Sequence, residues 1–211
     1  FLGDLFHTKN YISGEAIFLA KKFLSGLSEI APTKLILGNH DINVNNIHRT
    51  SPVVPICEMI DNVEVYFNSG IYDYNNGDIP VSFAAYSLVD VESFSLNKSH
   101  LDKERVNIGL GHFCIGGSEN SSGFVFTNNS SQLSDEHFKS FEHLDYFMLG
   151  DIHQQQYLDE LNKVAFAGSL LQNNFGESIK KGFLVWDIYG KDKFDVRFEE
   201  LDSPLRFYTV E

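Results

Sequence analysis

Several short apolar runs in this chain end in a glycine that is followed at once by an acidic, amide or imidazole side chain. The clearest is Lys34–Leu37, which continues into Gly38–Asp41 with the sequence Gly-Asn-His-Asp. Gly3-Asp4, Gly111-His112 and Gly150-Asp151 close further apolar runs in the same way. In open α/β sheets, ligands bind outside the carboxyl ends of the strands. The pattern therefore predicts an α/β sheet whose strand ends share one polar site.

Helix and strand signals alternate along the chain and give way to a hairpin signal near its end. Ser13 can cap a helix over Gly14–Ile30, whose apolar side chains recur at helical spacing. The side chains expected to face the core are Ile17, Ala20, Leu24 and Leu27, widened by Ala16, Phe23 and Ile30. Strands are expected at Lys34–Leu37, Val63–Phe67, Val81–Tyr86, Val106–Leu110, Tyr146–Leu149, Val164–Ala167, Phe183–Ile188 and Phe194–Glu199, with a short helix at Ile56–Ile60. This order predicts a layered α/β domain with mixed sheets.

The composition limits the classes of function. A chain of 211 residues fits one domain with a sizeable core. Its net charge of -13 argues against electrostatic binding of nucleic acid over the whole surface, although a local basic groove stays compatible with it. Two cysteines without a CxxC motif suit a reducing compartment. With no membrane-length apolar stretch and no signal segment, we expect a cytoplasmic protein that binds no membrane.

The side chains at the strand ends offer oxygen and nitrogen donors and no thiolate. The candidate metal ligands are Asp4, Asn39, His112, Asp151 and His153. That mixture suits Mn, Mg, Fe or Zn in a catalytic site. A shared carboxylate can bridge two ions about 3.5–4 Å apart, and such a pair can clamp a phosphate and activate water. His7 and His40 remain as imidazoles suited to transition-state contact or to protonation of a leaving group. The residues thus predict a metal-dependent hydrolase.

The motifs GDLFH, GNHD, GH and GDIH, the last a variant of GHxH, follow one another in this order. In this respect the chain resembles the calcineurin-like metallophosphoesterase superfamily. His7, in place of the Asp of many phosphatases, and the segment Ala167–Glu177 resemble the nuclease branch. That branch comprises the SbcD-like nuclease subunits of double-strand-break repair and their phage relatives. The resemblance implies a layered αββα sandwich of two mixed sheets flanked by helices.

The resemblance also implies a role for each motif residue. Asp4 corresponds to the bridging carboxylate, His40 to the histidine that assists departure of the DNA 3′ oxygen, and His7 to the histidine that supports the transition state. The other ligands correspond to Asn39, His112 and Asp151 at one metal and His153 at the second. The family implies two divalent ions, Mn(II) above all, with DNA as substrate. It also implies an SbcC-type ABC ATPase as partner, a homodimer as an assembly, and a bacterial or phage-infected cell.

Two departures from the family pattern lead to further expectations. The family carries a DxH motif on its first strand, and in this chain that motif would precede Phe1. We therefore expect residues 1–211 to be a catalytic domain that lacks this strand and also lacks the capping and ATPase-binding segments. We expect this fragment to be inactive alone. Position 151 is Asp where the family usually has His, which predicts a preference for Mn or Mg over Zn. A plain turn-capping role for Asp151 stays open.

The alternative functions are a phosphatase or small-molecule phosphodiesterase, or a catalytically dead partner-binding scaffold.

Several residues outside the motifs receive structural interpretations. The histidines expected on the surface are His48, His100, His137 and His143. Cys114 shares a strand face with His112 and is interpreted as a buried structural cysteine, with a thiolate ligand as the alternative. The segment Gly116–Ser131 is expected to be a loop near the site, and Ser169 to orient a ligand histidine through a hydrogen bond.

Overall fold

Three helices and ten strands occur in the described part of the chain, which a computed structural model gives as residues 1–8, 11–43, 46, 49–75, 77–128, 133–203 and 205–208. The helices are α1 (Gly14–Ile30), α2 (Val53–Cys57) and α3 (Asp135–Phe141). The strands are β1 (Thr33–Leu35), β2 (Val63–Val65), β3 (Gly70–Tyr74), β4 (Val81–Tyr86), β5 (Val106–His112), β6 (Tyr146–Gly150), β7 (Gln156–Tyr157), β8 (Val164–Phe166), β9 (Gly182–Ile188) and β10 (Phe194–Glu200). Among these residues, no helix has the length and apolar character needed to cross a membrane.

The largest sheet has six strands in the order β3-β4-β5-β6-β8-β7. Strands β4, β5, β6 and β8 run parallel, whereas β3 and β7 pair antiparallel at the two edges. Separately, β1 pairs with β2 in parallel, and Leu2 forms a parallel bridge to Ile36 just beyond β1. Strands β9 and β10 form an antiparallel hairpin. The predicted α/β class with mixed sheets is confirmed.

Alternate side chains of each strand enter different apolar clusters, and these clusters define the layers. Leu35 and Leu37 pack with α1 and α2, whereas Ile36 between them packs against the six-stranded sheet. On that sheet, Tyr146 faces Ile36, and Phe147 faces the opposite side, where α3 packs. The β9–β10 hairpin adds Trp186, Ile188 and Phe194 to the cluster between the sheets. The layers therefore run helix, small β layer, large sheet, helix, as the αββα expectation requires.

The buried face of α1 is narrower than the sequence predicted. Ser13 caps the helix through the amide of Ala16, as expected. Ala20 and Leu24 are buried, but Ile17, Phe23 and Ile30 are 40%, 36% and 82% exposed. The expected core positions Ile17, Phe23 and Ile30 were therefore wrong, whereas Ala16 and Leu27 pack, partly buried, against the cluster that α1 forms with α2 and β1.

The predicted surface position of His137 was also wrong. This histidine is 7% exposed and belongs to α3, a helix that the sequence did not reveal. Its Nε2–H donates to the carbonyl of Val91 at 2.7 Å, and its Nδ1 accepts from the Ser134 amide at 3.1 Å. His100 is exposed and His143 is half-buried, while His48 lies outside the described residues. His137 is therefore a structural histidine that caps its own helix.

Candidate metal centre

The carboxyl ends of strands from both β layers meet at one place. His112 is the last residue of β5, and Gly150 ends β6 directly opposite it. The Gly38–Asp41 turn follows β1, and Gly3-Asp4 follows the bridge of Leu2 to Ile36. The two layers thereby bring Asp4, His40, His112 and Asp151 together, as the sequence predicted.

His112 is the buried centre of this group. It is 3% exposed, and its Nδ1–H donates to the carbonyl oxygen of Leu2 at 2.5 Å. The proton on Nδ1 leaves the Nε2 lone pair free, 3.4 Å from Asp4 Oδ2 and 3.7 Å from Asp151 Oδ1. Burial lowers the pKa of His112, but its contacts with the Asp4 carboxylate outweigh burial and leave the pKa raised.

In the described part of the chain, the buried side-chain atoms without a hydrogen-bond partner include His112 Nε2 and, in the turn after β1, Asn39 Oδ1. Such orphaned polar atoms are uncommon in folded proteins and call for an explanation. Two donors bound to one cation at about 2.1 Å lie roughly 3.0–3.5 Å apart. The separations of 3.4 and 3.7 Å from His112 Nε2 to the two carboxylates are close to that range. A divalent cation therefore fits the residues present.

The charged and imidazole side chains of the centre do not form a complete metal coordination shell. Among the described residues, no group of three or more His, Cys, Asp or Glu side chains is arranged to hold a metal ion. The unpartnered amide oxygen of Asn39, in the turn that follows β1, is a further buried oxygen donor. An open, incompletely ligated position is typical of catalytic rather than structural metal sites.

Both acidic residues of the centre have strained backbones. Asp4 has φ 55° and Asp151 has φ 80°, in the left-handed region that non-glycine residues seldom adopt. Asp4 Oδ1 accepts the backbone N–H of His40 at 2.9 Å, which fixes the carboxylate beside the Gly38–Asp41 turn. Burial raises the pKa of Asp4, but His112 and the His40 amide lower it more, so it lies below its ordinary value. Asp4 is thus held as a carboxylate.

The two candidate catalytic histidines lie side by side. The rings of His7 and His40 stack with centroids 5.6 Å apart and planes 19° from parallel. His40 Nδ1–H donates to the backbone carbonyl of His7 at 2.5 Å, which leaves His40 Nε2 available to a substrate. His7 is exposed and His40 is half-buried. The structure thus stacks the two imidazoles, and the backbone of His40 is bonded to Asp4.

His153 lies farther along the same surface. A cleft of about 180 Å³ is lined by Cys114, Asn120, Phe126, Asp151 and His153, among others. The loop after Gly116 borders this cleft, as predicted for residues 116–128, while 129–131 lie outside the described residues. In the described part of the chain, His153 makes no hydrogen bond or ion pair with Asp4 or His112. His153 therefore shares a cleft with Asp151 but stands apart from the His112 group.

Comparison with known proteins identifies relatives along almost the whole chain. No protein-family model matches it. The SbcD subunit of the nuclease SbcCD from Staphylococcus epidermidis is 30% identical over 227 aligned positions, covering 99% of this chain and 59% of that protein. The chain is therefore similar to an SbcD-type nuclease subunit along almost its whole length.

Two further similarities accompany this match. An uncharacterized protein, R555, of Acanthamoeba polyphaga mimivirus is 34% identical over 200 residues, covering 90% of this chain and 14% of that protein. A solved structure described as a 5′-nucleotidase of Staphylococcus aureus in complex with α-ketoglutarate aligns with TM-score 0.46 and 16% identity, over 92% of this chain and 42% of that one. The chain thus spans 59% and 14% of the lengths of its two curated relatives.

Asp41 has a structural role beside this centre that the sequence did not reveal. Its side chain is 2% exposed, and its two oxygens accept the amides of Phe6 at 3.1 Å and Gly38 at 3.0 Å. The carboxylate thus ties the loop after Asp4 to the turn that carries Asn39 and His40. The signal in the sequence was the position of Asp41 in the Gly-Asn-His-Asp motif. Chemical roles were assigned from sequence to the amide and the imidazole of that motif but not to this carboxylate.

Glu177 was also missed, and it contacts the ring of His153. Its Oε1 lies 2.9 Å from His153 Nδ1, and its Oε2 lies 2.7 Å from Lys181 Nζ. Burial raises the pKa of Glu177, but Lys181 and His153 lower it more, so the group is an ionised carboxylate. Ser169 was expected to orient a ligand histidine, yet its hydroxyl lies near the backbone carbonyl of His153 rather than near the ring. The only sequence signal for Glu177 was its place at the end of the segment Ala167–Glu177, which resembles the nuclease branch.

Glycines at the strand ends allow the loops to pack tightly around His112. A Cβ on Gly3 would lie 2.5 Å from His112 Nδ1, and one on Gly150 would overlap the Leu2 carbonyl and lie 2.9 Å from the same nitrogen. A Cβ on Gly38 would likewise overlap the side chain and the backbone nitrogen of Asp4. A side chain at any of these positions would move the groups that orient His112.

We expect the substitution Gly150→Ala to lower the free energy of unfolding by about 1–3 kcal/mol, since backbone atoms of Leu2 cannot yield as a flexible side chain does. The matched control is Gly26→Ala in α1, where nothing lies within 4 Å of the new Cβ. That control should stabilise the protein by about 0.5–1 kcal/mol, because alanine is the better helix former. Urea unfolding measures both changes, and equal effects at the two positions would contradict the packing described.

Cys114 donates its S–H to Asp151 Oδ2 at 3.0 Å, which differs from both the buried structural role and the thiolate role considered from sequence. Burial, and then the hydrogen bond to Asp151, raise the pKa of Cys114 to about 12. Burial likewise raises the pKa of Cys57 to about 11. Both thiols are therefore protonated near neutral pH, and Cys114 is a neutral donor to the carboxylate.

At pH 8 we expect native Cys114 to be alkylated roughly a thousandfold more slowly than the same residue in the denatured chain, because the thiolate is the reactive form. The substitution Asp151→Asn should accelerate alkylation of Cys114 and leave Cys57 unchanged. Mass spectrometry of iodoacetamide-treated protein measures both sites. A native Cys114 that reacts as fast as a denatured cysteine would show that the thiol does not serve as this donor.

Proposed function

We propose that this protein is a metal-dependent nuclease that hydrolyses DNA phosphodiester bonds. One observation carries the proposal: His112 Nε2 is buried and unpartnered beside the carboxylates of Asp4 and Asp151, and the turn that holds His40 and the unpartnered Asn39 Oδ1 is bonded to Asp4. The Staphylococcus epidermidis relative is named as part of a nuclease, which supports DNA as the substrate class. The similarity to that relative alone supports a hydrolase of the phosphoesterase type.

The residues divide into two proposed ligand sets for divalent ions. Asp4, Asn39, His112 and Asp151 would hold one ion, and Asp4 with His153 would contribute to the second. Bound Mn(II) would supply an activated water and neutralise charge on the phosphate. Asp4 is suited to the shared position because it is ionised and fixed by the His40 amide.

In this proposal His40 transfers a proton to the leaving 3′ oxygen of the DNA. Its Nδ1–H is held by the His7 carbonyl, so Nε2 is the atom that faces the substrate. In the doubly protonated ring, the His7 carbonyl accepts Nδ1–H, and Nε2–H is the proton available to the leaving oxygen. The His7 ring, stacked on His40 and exposed, is placed to contact the phosphate in the transition state.

The same proposal includes an ATPase partner. The Staphylococcus epidermidis relative is named as one subunit of SbcCD, and by extension an SbcC-type ATPase would assemble with this chain. The net charge of -13 supports such a division of labour, because this chain carries little positive charge with which to hold DNA alone. The bound cations and the partner would then provide most of the attraction for the DNA backbone.

The decisive experiment measures cleavage of a labelled oligonucleotide by the full-length protein, with and without Mn(II) and the partner ATPase. Cleavage that requires Mn(II) and disappears in the His112→Gln variant supports the proposal. The acidic charge also favours a small phosphodiester as substrate, since such a molecule needs no extended basic surface. Hydrolysis of bis-p-nitrophenyl phosphate without any DNA cleavage would support that alternative. The absence of both activities with partner present would support a scaffold.

Asp151 is proposed to bias the centre towards hard cations. Its oxygen stands where a histidine nitrogen would favour Zn, and oxygen ligands suit Mn and Mg. In Asp151→His we expect the ratio of Mn(II) to Zn(II) affinity to fall, as measured by competitive metal titration. A ratio unchanged from the native protein would leave Asp151 with the plain turn-capping role.

A further inference from the structure

A buried ion pair lies behind His153. The side chains of Lys181 and Glu177 are 5% and 2% exposed, and Lys181 Nζ lies 2.7 Å from Glu177 Oε2. Taking both charges out of water opposes folding strongly, and apolar residues of similar volume usually stabilise a protein as well or better. The pair therefore calls for a role beyond stability, and its contacts indicate that role.

Every hydrogen-bonding position of this pair is used. Lys181 Nζ donates to Glu177, to the backbone carbonyl of His153 at 2.9 Å and to Ser169 Oγ at 2.9 Å. An ammonium group has three protons, so none is left over. Glu177 in turn accepts from Lys181, from His153 Nδ1, from the Asn173 amide and from the Asn174 side chain. Fully satisfied buried networks of this kind hold their members in one geometry.

The pair holds His153 at two points, one on its backbone and one on its ring. Lys181 binds the backbone carbonyl of His153, and Glu177 binds Nδ1 of the same residue. We infer that Glu177 and Lys181 form a positioning pair that fixes the proton of the neutral His153 ring on Nδ1 and turns Nε2 towards the cleft. The inference rests on the proposed function in one respect, since it gives His153 Nε2 a divalent cation as its ligand.

A competing contact makes the inference open to direct test. The side-chain amide nitrogen of Asn173 lies 3.1 Å from the same His153 Nδ1. An amide donor requires an unprotonated Nδ1, whereas a carboxylate requires Nδ1–H. The shorter 2.9 Å contact with Glu177, which Lys181 locks in place, favours the protonated nitrogen. A metal-binding histidine whose other nitrogen donates to a carboxylate is a common and effective arrangement.

The first measurement is the tautomer of His153 in metal-free protein, read from ring ¹⁵N shifts at pH 8, where an ordinary histidine is neutral. We expect Nδ1–H in the native protein and a loss of that preference in the double variant Glu177→Leu with Lys181→Met. The double variant leaves no buried charge unpaired, and thermal unfolding checks that it folds. A native ring protonated on Nε2 overturns the inference, as does a tautomer unchanged in the folded double variant.

The second measurement is Mn(II) affinity by titration calorimetry. Loss of a group that orients a metal ligand typically weakens metal binding about 10–100-fold. We expect that loss at the His153 site in Lys181→Met and no change in Lys180→Met, a matched control because Lys180 is the exposed neighbour. Equal affinity in the two variants overturns the inference. Native protein with the Nδ1–H tautomer that neither binds Mn(II) nor cleaves DNA refutes the proposed function while leaving the positioning role intact.

Discussion

Replacing His40 with Gln should lower the rate of DNA hydrolysis by about 10²–10⁴-fold, the usual contribution of a positioned proton donor. Asp4 and the His40 backbone amide keep their hydrogen bond in this variant, so the Mn(II) affinity of the protein should not change. The measurement is the single-turnover rate of oligonucleotide cleavage at saturating Mn(II). A variant that loses metal binding together with activity would place His40 among the ligands instead.

A change of leaving group separates proton donation from general damage. A p-nitrophenyl ester of a nucleotide has a leaving group that departs without protonation, so His40→Gln should lose much less activity on it than on DNA. His100→Gln is a suitable control, because His100 is exposed and is held only in its own turn at Asn97. Equal losses on the two substrates would contradict the acid role of His40.

The second large effect is expected at Asn39. In Asn39→Ala, we expect Mn(II) binding and DNA cleavage to be lost, while the free energy of unfolding of metal-free protein stays unchanged or rises by about 1 kcal/mol. The reason is that Asn39 Oδ1 is buried without a partner, and an unsatisfied buried polar group opposes folding by about 1–3 kcal/mol. Urea unfolding in EDTA and Mn(II) titration together measure the two effects.

Asn107 provides the matched comparison for Asn39. Its Oδ1 is likewise buried without a partner, but its Nδ2 donates to the carbonyls of Asp102 and Arg105, both at 3.0 Å. We therefore expect Asn107→Ala to destabilise the protein by about 1–3 kcal/mol and to leave Mn(II) affinity unchanged. A strongly destabilised Asn39→Ala would mean that Asn39 has a structural role instead.

The sequence predicted best those features that depend on neighbours along the chain. Ser13 and the apolar spacing after it gave α1 with its observed limits, and Val81–Tyr86 matches β4 residue for residue. A glycine followed by a polar residue marked the strand ends in the sequence. At these positions the chain leaves the sheet and the polar side chain lies at the site. Asp4, His112 and Asp151 converge for that local reason.

Features set by distant contacts were not predictable from local pattern. α2 begins at Val53 rather than Ile56, and β3, β7 and α3 went unrecognised, since each is short and is fixed by packing partners elsewhere. The contact between His153 and Glu177 joins residues 24 positions apart, and Glu177 looks like any surface glutamate until the fold buries it.

The hydrogen bond from His112 to the Leu2 carbonyl joins residues 110 positions apart and links the two β layers. Each layer supplies part of the donor set, so a chain with only one layer folded presents scattered ligands of low affinity. A cation that binds only the assembled centre stabilises the whole domain in proportion to the logarithm of its concentration. Divalent-ion affinity would then report how completely the two halves of this protein have docked, independently of any catalytic turnover.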